Sequence, residues 1–136
     1  MNFLKCKRAE GYVGMLVAVI LIFTLIATFI TMFPLFVVKT KVDTMAAQLT
    51  RVIELTGAAG AEYAAELAEL KAATGLDPTV QIDPIQEQYQ LRERFSLTVT
   101  AYAEVTIFVP VSGDPLVIPI PITKTVTGRS EVFFKP

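Results

Sequence analysis

Residues 12–38 read YVGMLVAVILIFTLIATFITMFPLFVV, 27 consecutive positions without Asp, Glu, Lys or Arg. A bilayer core about 30 Å thick takes roughly 20 helical residues to cross. Residues 12–33 alone supply that length. A buried helix of a soluble domain rarely stays uncharged for so long, so the stretch predicts a transmembrane helix. A secretory signal peptide has an apolar core of about 7–15 residues and a small-residue cleavage site. This run is longer and ends without such a site, so the helix is expected to remain in the protein.

On the N-terminal side, Lys5, Lys7 and Arg8 stand against Glu10, which gives residues 1–11 a charge of +2 within a total of −1. Lys39 and Lys41, partly offset by Asp43, follow the run. The basic excess before the helix places the N-terminus inside and the rest of the chain outside, as a single-pass protein of the cytoplasmic membrane. With no overall basic excess to displace counterions, a nucleic-acid partner is not expected. Cys6 is the sole cysteine, so no intrachain disulfide can form. A lipoprotein cysteine follows its apolar stretch, whereas Cys6 precedes it and reads as an inert thiol.

On the C-terminal side the helical period outlasts the apolar run. Val42, Met45, Ala46, Leu49, Val52 and Ile53 recur at three- and four-residue steps, with Asp43, Gln48, Arg51 and Glu54 on the other faces. One helix is expected over residues 12–56, stopped by Gly57 and Gly60. It comprises a transmembrane part, 12–38, and an amphipathic extension, 39–56. Pro34 lacks an N–H and crowds the carbonyl of residue 30, so a kink or local unwinding is expected there. Thr24, Thr28 and Thr31 share a face, where such hydroxyls most often bond back to their own helix and less often form an inter-subunit polar stripe. Gly14 and Ala18 form a small-xxx-small pair, a weak helix-packing motif.

Residues 57–136 form the headpiece. A short helix is expected at 62–74, with Tyr63, Leu67, Leu70 and Thr74 on one face and Gly75 and Pro78 marking its end. Glu62, Glu66 and Glu69 read as a solvated face. Beyond residue 79 the period changes to two. Residues 79–83 make a short strand, and 85–91 a connection or short helical turn. Residues 94–109 make the strongest strand, with Phe95, Leu97, Val99, Ala101, Ala103, Val105 and Ile107 on one face. A turn at 110–115 leads into a returning strand at 116–127. Its Pro119 and Pro121 share a parity and suit a sheet edge. Gly128 is expected to bulge or bend the chain before a last short strand at 130–134, whose Phe133 and Phe134 point to opposite sides. The fold class is therefore α+β: a long N-terminal transmembrane helix, one short helix, and a small antiparallel sheet of three to four strands.

The chain has no histidine and no tryptophan, no zinc-type cysteine spacing and no phosphate-binding glycine motif. Glu93 with Glu104, or Asp77 with Asp83, are the conceivable carboxylate pairs, and nothing in the sequence places either in a cleft. No catalytic residue, metal or cofactor is expected.

The junction Lys5-Cys6-Lys7-Arg8-Ala9-Glu10-Gly11-Tyr12 resembles a type IV prepilin leader, a short basic segment ending in glycine before an aromatic residue and an apolar helix. The resemblance implies cleavage between Gly11 and Tyr12 by a prepilin peptidase, with the helix kept to pack in a filament core. Typical pilins carry glutamate at the fifth mature position, where this chain has Leu16. From Gly11 to the C-terminus the layout resembles TadE-like pseudopilins and small pilin-like membrane proteins encoded beside pilus or conjugation genes in Gram-positive bacteria. It implies a structural subunit at the cell surface, with its own copies or other pilin-like subunits as partners. The other reading open to the sequence is an uncleaved, single-pass accessory or binding protein of a secretion or conjugation system.

Overall fold

The computed structural model describes residues 7–108 and 112–135. Lys5 and Cys6 of the leader and Pro110 of the expected turn lie outside the described residues. The element order is α1 (Lys7–Thr56), α2 (Ala61–Thr74), β1 (Thr79–Asp83), β2 (Arg94–Phe108) and β3 (Leu116–Arg129). The chain divides into two compact units, Met1–Phe33 and Pro34–Pro136.

The α+β architecture expected from the sequence is present, with the sheet holding three antiparallel strands in the order β1-β2-β3. α1 is unbroken across Pro34, so the local unwinding expected there is not found. Its end falls where glycine permits it: Gly57 adopts φ +66° and donates its N–H to the Ile53 carbonyl over 2.8 Å. A left-handed residue of this kind closes the last turn without the strain a Cβ would add. Gly75 ends α2 in the same conformation, with φ +68° and its N–H on the Lys71 carbonyl.

In the second unit the amphipathic part of α1 lies on the sheet. Val42, Met45, Ala46, Leu49 and Ile53 form a buried cluster with Phe95, Leu97, Val99 and Ala101 of β2 and Leu70 of α2. Full burial of side chains this size removes about 1.5–3 kcal/mol each from water, so this seam dominates the headpiece. The alternation read along β2 is present from Phe95 to Val105, where the odd positions are buried. It breaks at Ile107, which is 57% exposed, because the register slips between Thr106 and Phe108. The extra residue of a bulge has no fixed place on the face it would otherwise join.

β3 pairs with β2 along nearly its whole length, with Pro119 opposite Glu104 and Pro121 opposite Tyr102. Because β3 is an edge strand, the two nitrogens that cannot donate are tolerated on its open side. On the outer face Ser96, Thr98 and Thr100 meet Thr127, Thr125 and Thr123 in hydroxyl pairs at 3.4, 2.9 and 3.1 Å.

Two expectations about the C-terminus need correction. Gly128 is no bulge, since it pairs in register with Phe95. Glycine is needed because a Cβ there would sit 2.6 Å from the Phe95 ring and 2.8 Å from Thr50 Cγ2. Nor is there a strand at 130–134. The Glu131 N–H donates to the Glu54 carbonyl of α1, the Phe134 N–H to Gln90 Oε1, and the Ser130 hydroxyl to the Tyr89 carbonyl. With backbone groups bound one by one to different elements, no ladder can form. Phe133 is exposed, while Phe134 lies half-buried against Gly57.

Candidate functional site

The first unit holds the segment from which the sequence predicts function. Every residue from Gly11 to Ile30 is exposed, including Phe23, Phe29 and a run of Val, Leu and Ile. A helix apolar on all sides has no polar face to offer water and needs an apolar solvent. Its backbone polar groups are bonded within the helix, as the interior of a bilayer requires. The hydroxyls follow suit. Thr24, Thr28 and Thr31 donate to the carbonyls of Ile20, Thr24 and Ala27, each over 2.9 Å. That is the local bonding threonine adopts inside helices, and it leaves no unpaired hydroxyl facing hydrocarbon. Gly14 and Ala18 lie one turn apart and exposed, and a Cβ at Gly14 would meet nothing within 4 Å. Gly11 and Tyr12 are both inside α1, which begins at Lys7, and Tyr12 is exposed. The expected cleavage point is thus helical.

In the second unit none of the described carboxylates, lysines or arginines is buried. Asp77 accepts from Lys71 Nζ at 2.7 Å, and that bond and charge hold its carboxyl below the usual range. It is not drawn toward Asp83. The Glu93 carboxylate accepts from the Gln90 N–H, while Glu104 is exposed on the outer face of β2. Neither imagined carboxylate pair is assembled. Among the described residues there is no cluster of three or more metal-ligating side chains. Arg51 bridges Glu54 and Glu131 at 3.5 and 3.4 Å beside a shallow depression lined by Arg94 and Arg129. Lys41 Nζ donates to the Thr74 carbonyl at the C-terminal end of α2, over 2.8 Å, which suits the negative end of that helix.

Tyr89 is the residue whose importance the sequence hides. It is fully buried, its ring lies 5.2 Å from that of Phe95, and its hydroxyl donates to the Pro84 carbonyl over 2.7 Å. Burial pushes its phenol up. A lone aromatic within Gln86–Leu91 has no periodic partner to reveal it, and its neighbours are mostly Gln and Glu.

An α+β headpiece following an apolar helix long enough to cross a membrane defines the class of single-span, membrane-anchored proteins. Within it, the chain belongs to the family described as "Domain of unknown function (DUF4320)", which matches residues 16–135. No curated protein and no solved structure matches the chain significantly.

Proposed function

We propose that the chain is a structural, non-enzymatic pilin-like or pseudopilin subunit of a surface filament or of its assembly machine. Its apolar helix packs in the membrane or in a filament core, and its headpiece faces outward. The N-terminus lies on the cytoplasmic side, and the partners are further copies or other pilin-like subunits. The observation that carries this reading is the division of labour along α1. Its first part is exposed and apolar on all sides, and its later part is the spine of the headpiece core. A plain anchor needs the first property and has no use for the second.

A second reading is an uncleaved single-pass accessory protein of a secretion or conjugation machine. Two observations favour it. Leu16 replaces the acidic residue typical near a mature pilin N-terminus, and the Gly11–Tyr12 bond is helical, whereas proteolysis prefers exposed, irregular backbone.

The intact mass of the protein from its native membrane or from a sheared surface fraction decides between them. Loss of residues 1–11, leaving Tyr12 first, is the expected result. A full-length mass confined to the membrane fraction overturns the filament reading.

A further inference from the structure

We propose that copies of the chain join edge to edge, the free edge of β2 in one copy hydrogen-bonding to the free edge of β3 in the next. This contact rests on the subunit reading and names the two surfaces through which subunits meet.

The prolines show which main-chain groups are free. Residues along an antiparallel strand alternate between exchanging both bonds with the residue opposite and turning both groups the other way. Pro119 and Pro121 stand opposite Glu104 and Tyr102 and have no N–H to exchange. Tyr102, Glu104 and Thr106 therefore turn their N–H and C=O groups away from β3. By the same parity Thr123, Thr125, Thr127 and Arg129 turn theirs away from β2. The Arg129 N–H agrees, since it leaves the ladder and meets Glu54 Oε1 at 3.3 Å. β1 covers β2 only from Ser96 to Thr100, and the register slip after Thr106 ends the open row. Among the described residues, no backbone group of another element bonds to Tyr102, Glu104, Thr106, Thr123, Thr125 or Thr127. Open rows of this kind are templates for a further strand.

Charge and direction identify the occupant as a second copy. Among the described residues Glu104 and Arg129 are both exposed and outside every ion pair. Within its own sheet Arg129 stands directly opposite Arg94, a like-charged pairing that disfavours that end of the ladder. β2 and β3 are antiparallel, so a copy set alongside without reversal presents β3 to the β2 edge in antiparallel order. The buried segments of α1 then run the same way in both copies. Pairing β2 with β2 about a two-fold axis would reverse them. Thr79 already stands opposite Thr100, so the incoming strand has to end short of it. Setting Glu104 opposite Thr127, and Thr106 opposite Thr125, meets that limit. Arg129 of the next copy then faces Tyr102 and lies diagonal to Glu104, a separation that a long side chain spans. Within one copy Thr127 stands opposite Ser96, eight residues before Glu104, so neighbours are offset by about 27 Å at roughly 3.4 Å per residue. Each copy keeps one free edge of each kind. The contact is therefore head-to-tail and extends into a chain of copies instead of closing a pair.

Cys6 is the sole cysteine, so the full chain carrying Cys6→Ser accepts thiols at chosen positions. Thr106→Cys and Thr125→Cys are expressed in the native host singly, together on separate chains, and on one chain, then treated with a short bis-maleimide. Neither single variant is expected to crosslink, the co-expressed pair should give dimers, and the doubly substituted chain a ladder of dimers, trimers and longer products. Glu104→Cys with Thr127→Cys repeats the measurement if either variant loses the native circular dichroism. Glu104→Arg on the doubly substituted chain should weaken the ladder several-fold, and adding Arg129→Glu should restore it. If no ladder forms in sheared surface material whose chain begins at Tyr12, the edge contact falls and the subunit reading stands. Crosslinking by a single variant overturns the contact, because like positions then meet. So does a ladder that Arg129→Glu fails to restore. A ladder from a full-length chain confined to the membrane keeps the contact and overturns the filament.

Discussion

The two parts of α1 have the same backbone and opposite side-chain fates. Before Pro34, Leu16, Ile20, Leu25 and Phe29 are all exposed; after it, Val42, Met45, Leu49 and Ile53 are all buried. Apolar content alone does not separate them. What differs is angular distribution: the earlier residues occupy every direction around the axis, the later ones a single stripe with Gln48 and Arg51 outside it. A stripe is satisfied by one sheet, whereas a full cylinder is satisfied only by a surrounding medium.

That contrast is sharpest for leucine truncation. Leu49→Ala is expected to cost the headpiece about 2–5 kcal/mol, the range for emptying a packed site. Leu25→Ala should leave headpiece unfolding within about 0.5 kcal/mol of the parent. Urea titrations in micelles, followed by the near-UV signal of the tyrosines, compare the two. Equal effects would mean that the two parts of α1 are not energetically distinct.

Glycine gives the next largest difference. Gly128→Ala forces a methyl group onto Phe95 and Thr50 and should lose about 1–3 kcal/mol by overpacking. Gly14→Ala meets open space and should leave the headpiece transition where it was. A neutral Gly128→Ala in the same titration would show that the β3–α1 seam is looser than described.

Threonine offers the smallest and most pointed comparison. Thr28 has its hydroxyl bonded within its own helix, whereas the Thr50 hydroxyl is buried without a partner. Thr50→Val removes an unpaired polar atom at little change of shape and should raise headpiece stability by about 1 kcal/mol. Thr28→Val should not move it. A destabilised Thr50→Val, seen as a lower melting temperature, would mean that the hydroxyl finds a partner in solution.

Much of this was legible in the residues. The uncharged run marked the apolar helix, the three- and four-residue spacing marked its buried stripe, and the alternation along β2 marked the core face of the sheet. All three are periodic signals that survive without knowledge of contacts. The parts that escaped are those set by a single tertiary approach. Gly128 read as a bend because nothing local announces Phe95 and Thr50 closing on it. The segment after Ser130 looked like a strand by composition, yet its backbone is claimed by Glu54 and Gln90. Tyr89 was silent for the same reason. At the site, the threonine spacing was visible, but only the structure shows all three hydroxyls turned to their own helix. A helical Gly11–Tyr12 bond was not foreseen, because the leader layout concerns residue type and order and carries no conformation.

The hydroxyl pairs on the outer face of the sheet have a practical consequence. Ser96, Thr98 and Thr100 spend their hydrogen-bonding capacity largely on Thr127, Thr125 and Thr123. Such a strip is chemically quiet, with little charge to attract ions and little grease to attract proteins. A dye, an affinity handle or a foreign epitope carried at Thr98 or Thr125 would ride on the protein without touching its core or its apolar helix.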